Sequence, residues 1–66
     1  MKTYRVYWLD QSRRIRRGDW LEALNDEDAR RKASHLCDEE TASVEVWERS
    51  RPVEEIECHR DADGVA

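Results

Sequence analysis

Four side chains of the sequence are of metal-ligating type: His35, Cys37, Cys58 and His59. Their number suits a tetrahedral Cys2His2 zinc site, but their spacing does not. On a helix His35 and Cys37 point about 200° apart, and on a strand the adjacent Cys58 and His59 face opposite sides. No metal is expected. A cysteine nucleophile would draw on the same residues, with a histidine as base. Cys37, however, falls on an apolar stripe, where burial raises a thiol's pKa and blunts it, and no glycine-rich loop offers an oxyanion or phosphate cradle. The sequence therefore points away from an enzyme and shows no cofactor or small-molecule substrate site.

A second group is basic. Arg13, Arg14, Arg16 and Arg17, flanked by Trp8 and Trp20, combine guanidinium groups for phosphate contact with rings for base stacking, the chemistry of a nucleic-acid-binding ribbon. Against that reading, the chain carries a net charge of −4, whereas a dedicated nucleic-acid domain of this size is usually basic. The charge is also unevenly spread: residues 1–20 sum to +4 and residues 21–66 to −8.

These groups must be positioned by a small fold. Sixty-six residues allow one domain and a thin core. With 42% charged and 38% hydrophobic residues the composition is close to that of disordered chains, but three Trp and two Tyr supply large apolar areas, and the apolar positions are periodic.

Thr3 to Leu9 alternates Tyr4, Val6 and Trp8 with Arg5 and Tyr7, which predicts a strand, and Arg13 to Arg17 predicts its hairpin partner after a two-residue Gln11-Ser12 turn. That register sets Trp8 beside Ile15 and Tyr7 beside Arg16. Gly18 then ends or bulges the second strand. Asn25 is a good N-cap, with Asp26, Glu27 and Asp28 at the positive end of the dipole. Ala29, Ala33, Leu36 and Cys37 form one stripe on a helix from Asp26 to Asp38. Ala42 to Glu48 and Pro52 to Cys58 form a second hairpin, the proline marking a sheet edge, and residues 59–66 read as a flexible tail behind a single 1–58 domain.

A right-handed crossover through the helix gives a ββαββ, α+β domain: a four-stranded antiparallel sheet of order 2-1-3-4, with the helix on one face. Its outer strands are the Arg-rich and Glu-rich ones, the usual defence of sheet edges. The other face is left open. Tyr7, Leu9, Trp47 and Arg16 are expected there as an arginine-rimmed aromatic patch suited to a homodimer or to another protein, which would also thicken a thin core. The Arg-rich hairpin is the rival, nucleic-acid-binding site. No segment reaches the roughly 20 apolar residues of a membrane span, and with no apolar leader the chain is expected in the cytoplasm, with Cys37 and Cys58 as free thiols.

The pattern Tyr4-Arg5-Val6-Tyr7-x-Leu9-Asp10, Arg14-Ile15, Asp26-x-x-Ala29-x-x-x-Ala33 and Val44-Glu45-Val46-Trp47 resembles small uncharacterised bacterial ββαββ proteins of similar length. The resemblance spans nearly the whole chain and implies a fold, with no activity to carry over. The sequence departs from that pattern at Arg13, where a turn glycine commonly precedes the Arg-Ile pair.

Overall fold

Alternating apolar side chains set the first element. The computed structural model describes residues 1–58, and in it strand β1 (Lys2–Leu9) buries Tyr4, Val6 and Trp8 on one side. There follow β2 (Ile15–Ala23), helix α1 (Asp26–Ala33), a 3-10 turn (Ser34–Leu36), β3 (Ser43–Glu48) and β4 (Arg51–Glu57). The strands form one antiparallel sheet in the order β2-β1-β3-β4, the α+β arrangement expected. The expected tail, with His59, lies outside the described residues.

The helix-side core contains Tyr4, Val6, Trp8, Ala23, Ala29, Ala33, Val44, Val46 and Cys58. The two alanines allow α1 to sit close to the sheet. Asn25 caps it, its Oδ1 accepting from Asp28 N at 2.8 Å, while the Asp28 carboxylate accepts from Leu24 N at 2.9 Å. Asp26 ties the same end to both central and outer strands. It accepts from the Tyr4 hydroxyl at 2.8 Å and from both terminal nitrogens of Arg51 at 3.1 Å.

The helix is shorter than its periodicity predicts. The Ser34 hydroxyl donates to Arg31 O at 2.6 Å, the chain tightens into the 3-10 turn, and Trp8 Nε1 donates to the Leu36 carbonyl at 2.9 Å, satisfying a helix-end acceptor. Cys37 therefore leaves the helix in extended conformation instead of joining its apolar stripe. That exit overturns the expectation of free thiols. Cys37 is bonded to Cys58 at the end of β4, with the two Cα atoms 5.6 Å apart.

The first hairpin also departs from expectation, and for a reason visible in its turn. Asp10 Oδ1 accepts from Ser12 N and Arg14 N at 2.8 and 3.0 Å, Arg13 N donates to Asp10 O at 2.9 Å, and Arg13 takes a left-handed φ of 66°. This is a three-residue loop ending in a residue that glycine would fit better, so the pairing slips by one residue. A one-residue slip exchanges the faces. Ile15 pairs with Leu9 on the side away from the helix and is 59% exposed, instead of joining Trp8 in the core.

A bulge then leaves Arg16 unpaired, and Arg17 lies opposite Trp8. β2 does not stop at Gly18 but continues to Ala23, which is fully buried. Gly18 sits in mid-strand because the Tyr7 ring covers it: a Cβ there would stand 3.2 Å from Tyr7 Cδ1.

Candidate protein-interaction surface

On the face opposite the helix, the register arranges side chains in rows across the strands. The first row runs Trp20, Arg5, Trp47, Pro52, and the second Gly18, Tyr7, Glu45, Glu55. Ile15, Leu9, Ser43 and Glu57 make the third. Aromatic rings thus cluster at one end of the open face and carboxylates at the β4 side.

Trp20 is 62% exposed, and the Arg5 guanidinium lies over its ring at 4.1 Å from the centroid. Arg5 Nη1 also donates to the Tyr7 hydroxyl at 3.2 Å. One strand away Trp47 is half-buried and its Nε1 donates to Glu45 Oε1 at 3.1 Å. Two shallow hollows open beside this cluster. One, of about 360 Å³, is lined by Arg5, Tyr7, Gly18, Asp19 and Trp20, and the other, of about 380 Å³, lies toward Thr3 and Arg49. Both suit a protruding side chain better than an enclosed ligand.

Of the residues expected in this patch, Tyr7 and Trp47 lie there as partly covered neighbours of Arg5. Leu9 points to the same face but is only 4% exposed, so it offers no contact surface. Arg16 is not across from Tyr7, whose place opposite is taken by Gly18; its Nη2 reaches Glu40 Oε1 at 2.7 Å in the connection before β3. Trp20 and Arg5 are the residues that sequence reasoning left out of the patch. The signal for Arg5 is its alternation with Tyr4 and Val6, and that for Trp20 is the strand period continuing beyond Gly18, with Trp20 and Glu22 alternating with Leu21 and Ala23.

The arginines of the rival site are dispersed. Arg13 reaches Glu55 at 2.6 Å and Glu45 at 3.8 Å, Arg16 reaches Glu40, and Arg17 lies over the Trp8 ring at 4.2 Å. Arg14 is exposed and its amide is held by Asp10. The hydrogen bond to Glu55 holds the Arg13 guanidinium above its ordinary pKa. As for a metal, among the described residues no three His, Cys, Asp or Glu side chains gather where they could hold one. No helix of the described residues is long and apolar enough to cross a membrane.

No protein-family model matches the chain, and neither the curated proteins nor the solved structures contain a significant match.

Proposed function

We propose that the chain is a non-enzymatic protein-interaction module that associates with a second copy of itself through the open sheet face. The observation that carries this reading is the exposed Trp20 ring, stacked with Arg5 and continued by the half-buried Tyr7 and Trp47. Aromatic residues and arginine are enriched at protein contacts, and a ring kept in water by the monomer gains by being covered. The engagement of Arg13 and Arg16 by carboxylates, and of Arg17 by Trp8, supports a structural role for the basic hairpin over nucleic-acid binding.

Light scattering across a concentration series tests the proposal. The wild type is expected at twice the chain mass at high concentration, and Trp20→Ala should raise the dissociation constant by about tenfold or more. A wild type that stays monomeric throughout contradicts it. Salt-sensitive retention of DNA or RNA by the wild type, lost on replacing Arg14, would instead support the nucleic-acid reading.

Cytoplasmic residence belongs to the same proposal only with Cys37 and Cys58 reduced in the cell, since disulfides persist mainly in oxidising compartments. Alkylation at lysis decides it. Two trapped thiols per chain support the cytoplasm, and none supports an oxidising compartment.

A further inference from the structure

The outer strands of the sheet are β2 and β4. Along β2 the Trp20 N–H is turned away from β1 and held by the adjacent Asp19 carboxylate at 2.8 Å, and the Glu22 carbonyl accepts from Lys32 Nζ at 3.0 Å. Backbone alternation turns the N–H and C=O of Gly18 to that same outer side, beyond the last strand of the sheet. The edge there is long and carries no proline.

We propose that a second copy of this chain adds its β2 antiparallel to this one about a two-fold axis through Gly18, making one continuous eight-stranded sheet. The inference rests on the self-association proposed above and supplies its geometry.

Charge complementarity selects this occupant and this direction. Arg16 and Arg17 precede Gly18, and Asp19 and Glu22 follow it. Reversal about Gly18 sets Arg17 of each copy opposite Asp19 of the other, and both side chains belong to the face that carries Trp8 and Val6. A parallel, in-register copy would oppose arginine with arginine. A copy added to β4 would meet Glu54, Glu55 and Glu57, and Pro52 has no N–H to donate.

The open face agrees with the same axis. With the two Gly18 residues paired, each Trp20 stands diagonal to the glycine of the other copy, within aromatic reach. Because the Tyr7 ring lies over Gly18, that diagonal leads to the mouth of the hollow lined by Arg5, Tyr7, Gly18, Asp19 and that copy's own Trp20. The contact is isologous: each Trp20 ring covers the hollow of the other copy. A side chain at position 18 would close both, which gives the mid-strand glycine a use beyond Tyr7.

Sedimentation equilibrium on the wild type, Arg17→Asp, Asp19→Arg and an equimolar mixture of the two variants tests the pairing. Each variant alone opposes like charges twice, so its dimer should require about tenfold higher concentration or more. The mixture restores two opposite pairs and should return to the wild-type midpoint. Residues 17 and 19 are exposed, and circular dichroism checks the fold of each variant. The double variant Arg17→Asp/Asp19→Arg, which restores both pairs within one homodimer, carries the test if a single variant unfolds. Variants that dimerise as the wild type does, or a mixture that is not rescued, overturn the β2 pairing while leaving self-association standing. A wild type that never dimerises overturns both.

Discussion

The two outer strands of this sheet are finished in opposite ways. β4 is fastened at its start by the Arg51–Asp26 pair, along its length by Arg30 near Glu54 at 3.6 Å, and at its end by the Cys37–Cys58 bond. It also carries a proline and one dominant sign of charge. β2 is held at its margins, by Arg16 to Glu40 and Lys32 to the Glu22 carbonyl, and carries an exposed tryptophan, a bare glycine and both signs of charge in separate halves. Both strands are charged, yet charge protects an edge only where a copy of the same strand would meet its own sign. On β4 it does; on β2 antiparallel reversal turns the same device into attraction.

The largest expected effect lies on the fastened side. Replacing Cys37 and Cys58 by serine releases a cross-link spanning 21 residues, for which chain entropy gives a loss of about 3 kcal/mol. Urea unfolding should show it, and the dimerisation midpoint should stay where it was. Loss of association in that variant would mean that the two edges are not independent.

Titration loosens the same fastening. Arg51 foremost, and then the Tyr4 hydroxyl, hold the Asp26 carboxyl below its usual pKa, and the Leu24 amide, ahead of Lys32 and Arg31, does so for Asp28. A depressed folded-state pKa contributes stability that is present above the unfolded value of about 4 and lost as pH falls through the folded one. Thermal unfolding should therefore soften below about pH 4, and Asp26→Asn should blunt that dependence. At the alkaline end, burial and then the bond to Asp26 push Tyr4 up to about 12. Its contribution, complete below about pH 10, fades as pH rises through the folded value. Phenolate absorbance arising from Tyr4 should appear together with unfolding.

A smaller effect concerns the turn that feeds β4. Arg49 has a φ of 58° in the two-residue turn between Glu48 and Arg51, a left-handed position that costs a side-chain-bearing residue about 1 kcal/mol. Arg49→Gly should stabilise the domain by up to that amount in urea titration. Arg13→Gly, at the turn that feeds β2, should gain less because it gives up the contacts with Glu55 and Glu45.

Strand alternation in β1 and β3, the Asn25 cap and Pro52 made the element order and sheet order legible. What escaped were features decided by single side chains acting on backbone. Asp10 lengthens the first turn and so moves Ile15 to the face opposite Trp8, and Ser34 with Trp8 ends the helix early and sends Cys37 toward Cys58. The surface patch was half legible. Tyr7 and Trp47 follow from alternation, but Gly18 reads as a strand end or bulge, which hides Trp20, while the longer turn and the bulge at Arg16 take Arg16 away from Tyr7. A glycine under a tyrosine ring cannot be told from a terminating glycine without knowing what lies across from it.

Amide exchange at Gly18, followed by NMR over a concentration series, addresses the asymmetry of the edges most directly. This outward N–H should exchange quickly in dilute solution and become protected in step with dimer formation, while the outward amides of β4 keep one rate throughout. Dimer formation with Gly18 exchange unchanged would contradict that asymmetry.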